Sequence, residues 1–279
     1  IATEILNARH SNAVLKNAQE LIVTDDSFTK AQVLLRQTHS NIAAYFKNAP
    51  QQITILPGFI ARSFNGEATT LGRGGSDYTA ALIAAALNAK ELEIWTDVSG
   101  MFTANPKLVK QAYPIKNINY QEAMELSHFG ANVLYPPSIQ PVLELKIPIL
   151  IKNTLRPDES GTRISTPDVK EDRNATGISN IDHITLLTLQ GSGMVGIPGF
   201  SKKLFGRLAQ DRINIILITQ ASSEHSICIA IDQKDVQKAE NGINETFAHE
   251  IERNQLDSVL IEENLAIIAL VGSRMKHLQ

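Results

Sequence analysis

The sequence contains a single cysteine, Cys228, and only 5% aromatic residues. One cysteine cannot form an intramolecular disulfide, which excludes a disulfide-stapled secreted fold and suits a reducing compartment. No apolar run reaches the roughly 18 residues that a membrane-spanning helix requires, and no charged and then apolar leader opens the sequence. From these absences we expect a cytoplasmic protein with no membrane partner.

An excess of basic charge is also missing. The 26 basic and 29 acidic residues give a net charge of −3 and a pI of about 6.2, without a basic tract. Binding to a phosphate backbone needs such a tract, so nucleic acid is excluded as an expected partner. With 43% hydrophobic and 20% charged residues, the composition is that of a soluble globular protein, and 279 residues favour two domains.

The first half of the chain alternates helical and strand patterns. Apolar spacing predicts a helix over 27–48, after the cap-like pair Asp26 and Ser27, and short β-branched or apolar runs predict strands over 53–56, 92–96 and 147–152. Residues 119–122 resemble a capping box, which predicts a helix through Phe129. This alternation predicts an α/β domain with a mainly parallel sheet. The polar segment 153–180 is the expected domain boundary.

The second half follows a different order. We predict strands over 184–190, 213–219, 226–231 and 258–261, with helices over 200–211 and 236–249. This βαββαβ order is ferredoxin-like. The pattern of residues 184–194 returns 81 residues later, at 265–275, which predicts the start of a second such unit. Because the chain begins at Ile1 and ends soon after that run, we expect both ends to be cut.

A glycine-rich loop, Gly72–Asp77, precedes a run of Ala, Leu and Ile that predicts a buried helix. Glycines let backbone N–H groups approach an anion, the helix N-terminus adds partial positive charge, and Arg73 adds a fork suited to a carboxylate or phosphate. The spacing matches neither the Walker A loop nor the dinucleotide fingerprint. A plain tight turn before a helix is the alternative interpretation.

A second candidate follows the predicted strand 92–96. Thr96 and Asp97 lie where the ligands of open α/β sheets gather, although an Asx turn that closes the strand is the more common reason for an Asp at such a position. Asn105-Pro106-Lys107 is ordinary turn chemistry, with Lys107 as a possible phosphate contact.

Three motifs in order, Thr69–Asp77, Trp95–Gly100 and Glu122–Pro136, resemble those of aspartate kinases. The resemblance implies an amino-acid-kinase (carbamate-kinase-like) fold in which ATP phosphorylates the β-carboxylate of L-aspartate, the first step toward Lys, Thr and Met. It also implies Mg²⁺, for which we identify no ligand residues.

The resemblance also implies roles for individual residues. Arg73 would clamp a substrate carboxylate, and Asp77 would order the substrate or the basic residues around it; these two are the expected catalytic residues. The expected substrate-binding residues are Thr70, Arg73, Ser76 and Asp77, and the expected ATP-binding residues are Thr96, Asp97, Phe102, Lys107 and Asn132.

Several positions depart from the family pattern. Phe102, Asn105 and Lys107 stand where the family usually has Tyr, Asp and Arg, and Asn132 stands where many members have lysine. The Lys-x-Gly-Gly-Thr-Ser opening that carries the family's catalytic lysine is absent, as is the upstream acidic substrate-binding residue. We therefore expect this polypeptide to be inactive as it stands.

The second half resembles an ACT domain, the module that senses amino acids between paired copies, in the threonine-sensitive branch fused to homoserine dehydrogenase. The resemblance implies threonine as the effector, Asn214, Gln220 and Ser222 as its binding residues, and a homo-oligomer formed through ACT domains. The expected boundaries are 1–165 for the kinase domain, 166–182 for the linker, 183–263 for the first ACT domain and 264–279 for the first strand of a second.

Two other functions stay open. The chain could act only as a module that senses an amino acid and dimerises, or it could belong to a kinase for glutamate, acetylglutamate or a nucleotide. Binding of ATP without an effector response favours a kinase, and the reverse favours the sensing module.

Overall fold

The computed structural model describes residues 1–49, 53–128, 133–166, 175–194, 199–220, 225–273 and 275. Packing divides the chain into two units, one formed by Ile1–Ser179 with Ala269–Gln279 and the other by Asn180–Ile268. The sequence-based domain boundaries of 1–165, 166–182, 183–263 and 264–279 stay predictions. Among the described residues, no helix combines the length and apolar character needed to cross a bilayer.

The first unit contains five α-helices and nine strands within its described residues. The helices are α1 (Ala2–Ala8), α2 (Leu35–Asn48), α3 (Gly75–Ala86), α4 (Tyr120–His128) and α5 (Gln140–Glu144). The strands are β1 (Ala13–Leu15), β2 (Val23–Thr24), β3 (Ile53–Ile55), β4 (Ile60–Ser63), β5 (Ala68–Thr70), β6 (Leu92–Thr96), β7 (Asn117–Ile118), β8 (Ile149–Asn153) and β9 (Thr162–Ile164).

These strands form three sheets, with the orders β1-β3, β2-β4-β5 and β6-β8-β9-β7. The pairs β1/β3, β2/β4, β6/β8 and β7/β9 are parallel, whereas β4/β5 and β8/β9 are antiparallel. Parallel pairing therefore prevails among the described strands of the first unit, and the predicted α/β class with a mainly parallel sheet is confirmed.

Helix α3 is apolar on most of its surface and lies where the sequence predicts a buried helix. Its residues Ala81 and Ala84 pack in one core with Leu92 and Ile94 of β6. Only residues 87–91 connect α3 to β6. Because a connection this short makes the packed helix and strand antiparallel, the first turn of α3 and the carboxyl end of β6 face the same side of the unit.

The second unit has the predicted βαββαβ order, with one extra short helix. Its elements are β10 (Gly177–Gln190), α6 (Phe200–Gln210), β11 (Ile215–Gln220), β12 (Ser226–Asp232), α7 (Val236–Thr246), α8 (Ala248–Glu252) and β13 (Leu260–Val271). The first residues of β10 and the last residues of β13 belong to the first unit. The sheet order is β11-β12-β10-β13, and β12 pairs antiparallel with both of its neighbours. Leu204, Leu208 and Ile243 pack the helices against the sheet.

The predicted start of α2 is wrong. The helix begins at Leu35 and not near Ser27, because the Asp25 carboxylate accepts hydrogen bonds from the N–H groups of Ser27 and Gln32. A short acidic side chain that binds the backbone ahead of it stabilises a loop in place of a helix. These bonds also hold the pKa of Asp25 below its usual value.

Two other expectations differ from the structure. The polar segment 153–180 was predicted as a linker, yet it contains β9, which pairs with both β7 and β8. Strand 258–261 and the repeat from 265 were predicted as separate, yet β13 is continuous from Leu260 to Val271. Asn264 has a φ of 60° within this strand, so the chain turns locally there without leaving the sheet.

Candidate active site

The glycine-rich loop forms a tight turn onto the N-terminus of α3. Gly72 and Gly74 have φ values of 73° and 69°, a backbone region that glycine adopts without strain. A Cβ at Gly74 would lie 2.7 Å from Cδ1 of Tyr135, so a side chain has no room there. The guanidinium of the exposed Arg73 lies over the Tyr135 ring, with Cζ 5.3 Å from its centroid. The ring thus supports a cation beside the helix N-terminus.

Ser76 and Asp77 complete the first turn of α3. The Ser76 hydroxyl donates to Asp77 Oδ1 over 3.5 Å. Burial raises the pKa of Asp77, and this hydrogen bond offsets part of that shift. The structure therefore brings Arg73, Ser76 and Asp77 together, with a cation, a hydroxyl and a half-buried carboxyl group around one helix N-terminus.

Thr70 lies at the end of β5, beside this loop, and its polar groups bind a neighbouring segment. Its hydroxyl and its N–H both donate to the carbonyl oxygen of Phe28, over 3.0 and 2.9 Å. The N–H of Ala31 donates to the Thr70 carbonyl oxygen over 3.0 Å. Residues 25–32 therefore form a wall of the loop, and a Cβ at Gly72 would lie 3.4 Å from Cγ of Lys30. Sequence reasoning missed this wall.

The carboxyl end of β6 carries the second group of candidates. Thr96 and Asp97 follow directly on the strand, and the Thr96 hydroxyl donates to Asp97 Oδ1 over 3.1 Å. In the parallel pairing of β6 with β8, Thr96 lies opposite Asn153. The two strand ends therefore present polar side chains at one edge of the sheet, where ligands of α/β proteins bind.

Two residues at this edge were missed by sequence reasoning. The buried Asn153 donates from Nδ2 to Ser99 Oγ over 2.9 Å and accepts from the Leu155 N–H. Ser99 also hydrogen-bonds Glu159, which is the largest cause of the lowered pKa of that carboxyl group; Arg156 adds to it. The sequence signal that could have identified Asn153 is its position directly after the predicted strand 147–152.

Phe102 and Lys107 lie on the loop after β6. Phe102 is half-buried and forms an isolated antiparallel bridge with Pro114. Lys107 is exposed, and its N–H donates to Asn105 Oδ1 over 3.0 Å, so the turn chemistry predicted for Asn105-Pro106-Lys107 is confirmed. Asn132, the fifth predicted ATP-binding residue, lies outside the described residues.

The predicted effector residues lie in the second unit. Asn214 and Gln220 are exposed, directly before β11 and at its last position, where Gln220 pairs with Ile227. Ser222 lies outside the described residues. The structure thus places Asn214 and Gln220 at opposite ends of one strand.

A comparison with family models matches residues 2–153 to the amino acid kinase family, which is more than half of the chain. The chain belongs to the amino acid kinase family. A second model, described as an ACT domain, matches residues 187–247, within the second unit. Both parts of the predicted fold are confirmed.

Among curated relatives of this kinase-family chain, a bifunctional aspartokinase/homoserine dehydrogenase of Haemophilus influenzae is 40% identical over 82% of the chain. The chloroplastic bifunctional aspartokinase/homoserine dehydrogenase 2 of Arabidopsis thaliana is 36% identical over 91% of it. The chain spans 28% of the length of each relative. The predicted resemblance to aspartokinases is confirmed.

A solved structure, Escherichia coli aspartokinase III in complex with aspartate and ADP, superposes with a TM-score of 0.79 at 31% sequence identity. The match covers 99% of this kinase-family chain and 61% of that protein.

Proposed function

We propose that this chain is part of an aspartate kinase, which transfers the γ-phosphoryl group of ATP to the β-carboxylate of L-aspartate and releases ADP. The observation that carries the proposal is the loop Gly72–Asp77, which places Arg73 and a half-buried carboxyl group at the N-terminus of α3. The aspartokinase relatives and the aspartate-bound and ADP-bound E. coli structure support it.

In this proposal Arg73 clamps a carboxylate of aspartate through its planar fork. Thr70 and Ser76 line the substrate loop, and Asp77 orders the substrate or the cations around it. Because phosphoryl transfer depends on position and on charge stabilisation more than on covalent chemistry by the protein, these four residues act by holding the acceptor carboxylate in line with ATP.

ATP binds, in the same proposal, at the edge formed by β6 and its following loop. Thr96 and Asp97 contact the nucleotide, Phe102 and Lys107 lie along it, and Asn132 takes the place of the family's lysine near the phosphates. Within the described residues no group of three or more His, Cys, Asp and Glu side chains could hold a metal ion. We therefore assign no chain ligands and no step to the Mg²⁺ that the reaction implies.

The second unit regulates the kinase in our proposal, with threonine as the effector and ACT domains as the contact between copies of the chain. Asn214, Gln220 and Ser222 are the proposed effector residues. The choice of threonine rests on the resemblance of the second half to the branch fused to homoserine dehydrogenase; the relatives include such fused enzymes and also a lysine-sensitive aspartokinase of E. coli, which is 34% identical to this chain. A cytoplasmic location completes the proposal.

Titration separates the alternatives of a sensing module and of another amino acid kinase. We expect ATP and aspartate to bind the product of the complete reading frame that contains this sequence, and threonine to inhibit its aspartate-dependent release of ADP. An effector response without nucleotide binding would support the sensing module. Binding of another acid in place of aspartate would support a different kinase.

We expect the isolated 279-residue polypeptide not to catalyse aspartate phosphorylation, because the lysine motif of the family is absent from it. An aspartate-dependent rate close to that of the complete product would contradict this.

The proposed effector site is tested at Gln220. We expect Gln220→Ala to weaken threonine inhibition of the complete product by about tenfold, because a lost hydrogen bond to a buried polar ligand group removes about 1–2 kcal/mol. The measurement is the threonine concentration for half inhibition, with the exposed Gln237 changed to Ala as the control. Equal inhibition of both variants and the wild type would remove Gln220 from the site.

A further inference from the structure

A buried carboxyl group of the first unit holds two distant chain segments together. Glu122, in the first turn of α4, is only 8% exposed. Its Oε1 accepts a hydrogen bond from Thr176 Oγ1 over 2.8 Å and another from the Ser273 N–H over 2.9 Å. The Thr176 N–H donates in turn to the Val271 carbonyl oxygen over 2.7 Å. Glu122 thus accepts hydrogen bonds from two segments that lie 54 and 151 residues further along the chain.

This arrangement differs from the capping box that the sequence predicts for the start of α4. Asn119 Oδ1 accepts from the Glu122 N–H over 2.8 Å, as a capping residue does. The Glu122 side chain, however, is directed to Thr176 and Ser273 and not back to the Asn119 backbone. Its role is therefore tertiary and not local to the helix.

One turn further along α4, the same segment is held again. The Ser179 hydroxyl donates to the Leu126 carbonyl oxygen over 3.0 Å, and both Thr176 and Ser179 are buried. Residues 176–179 are therefore fixed to α4 at two levels. Residues 177–179 form the start of β10, whose later residues belong to the second unit.

The same segment also contacts the loop proposed to bind the nucleotide. The Ile178 N–H donates to the Thr103 carbonyl oxygen over 2.7 Å, and a Cβ at Gly177 would lie 3.1 Å from that oxygen. Thr103 directly follows Phe102, and its N–H donates to the Tyr113 carbonyl oxygen, which closes the loop. A shift of residues 176–179 would therefore displace the backbone next to Phe102.

We propose that Glu122 is a positioning residue that holds residues 176–179 against Thr103, and that an effector bound to the second unit acts on the nucleotide loop through this segment. The inference rests on the proposed function for its kinase readout, and it names the contact through which that regulation acts. Without the Glu122 acceptor, the segment keeps only the Ser179 hydrogen bond to α4, and its contact with Thr103 is held less firmly.

The test uses the product of the complete reading frame with two pairs of variants. Glu122→Ala and Thr176→Val remove the contact, whereas Glu122→Gln and Thr176→Ser keep an acceptor and a hydroxyl. Thr38→Val, which breaks buried hydrogen bonds between α2 and β2, controls for general destabilisation. We expect the first pair to raise the threonine concentration for half inhibition by about tenfold, and the other three variants to stay within about twofold of the wild type.

Hydrogen exchange of the Ile178 amide gives a readout that does not need activity. We expect Thr176→Val to accelerate this exchange by about tenfold, with no such change in Thr176→Ser or Thr38→Val. Wild-type inhibition by threonine in Thr176→Val, or unchanged exchange at Ile178, would overturn the inference. A wild-type product that phosphorylates no aspartate would instead overturn the proposed function, and the exchange experiment would still decide whether the hydrogen bond from Thr176 to Glu122 holds residues 176–179 in place.

Discussion

At the scale of single residues, the proposed function depends most on Arg73 and Asp77, whose surroundings differ. The Arg73 guanidinium rests on the Tyr135 ring, which orients it while leaving it exposed. The Asp77 carboxyl group is half-buried and its pKa is raised by burial. The Arg73 side chain is therefore exposed to solvent, whereas the Asp77 side chain is partly buried in the first turn of α3.

Arg73→Lys keeps the charge but removes the planar fork. We expect the KM for aspartate to rise at least about tenfold while the KM for ATP changes little, because an ammonium group cannot bind a carboxylate with two parallel hydrogen bonds. Steady-state kinetics of the complete product measure both values. Arg36→Lys, at an exposed position of α2, is the control. An unchanged KM for aspartate would remove Arg73 from the substrate site.

The raised pKa of Asp77 predicts a pH-dependent stability. Because the fold favours the protonated carboxyl group, the ionised group opposes folding, and this opposition develops as the pH rises above the ordinary value of 3.8. Asp77→Asn removes it. We expect the Tm of Asp77→Asn relative to the wild type to be higher at pH 7 than at pH 3, as measured by thermal unfolding. A Tm difference that falls with rising pH would contradict the shift.

At the scale of elements, α3 could be predicted from the sequence and the start of α2 could not. The run from Tyr78 to Leu87 is apolar on all sides, and only burial accommodates such a helix. At α2 the helical period is present from Ala31, but hydrogen bonds from Ser27 and Gln32 to Asp25 stabilise a loop there. Periodicity indicates which face is apolar, and side-chain competition for the backbone decides where the helix begins.

Gly74 tests the turn that begins α3. Gly74→Ala places a Cβ at a φ of 69° and 2.7 Å from Tyr135, so we expect a loss of about 1–3 kcal/mol in the free energy of unfolding. Chemical denaturation measures it. Gly66→Ala is the matched control, because Gly66 also has a positive φ but no atom within 4 Å of the added Cβ.

Because only the Cβ at position 74 meets Tyr135, we expect the loss of free energy of unfolding to be larger in Gly74→Ala than in Gly66→Ala. A loss in Gly74→Ala no larger than in Gly66→Ala would show that Tyr135 does not restrict the loop.

At the scale of the whole molecule, the sequence predicts the succession of an α/β domain and a βαββαβ unit, because periodicity and turn residues are local signals. It does not predict which distant segments meet. Glu122 and Ser273 are 151 residues apart, and Asn153 meets Ser99 through the pairing of β6 with β8. Such contacts depend on topology, so the sequence indicates candidate motif residues but not the distant residues that contact them.

Trapping of the reaction product tests the central claim most directly. Hydroxylamine converts an acyl phosphate into a hydroxamate, which mass spectrometry identifies. With the product of the complete reading frame, ATP and L-aspartate, the account predicts aspartyl hydroxamate in an amount that depends on ATP, and none from L-glutamate or acetylglutamate. A hydroxamate formed from one of those acids but not from aspartate, or no hydroxamate from any of them, would contradict it.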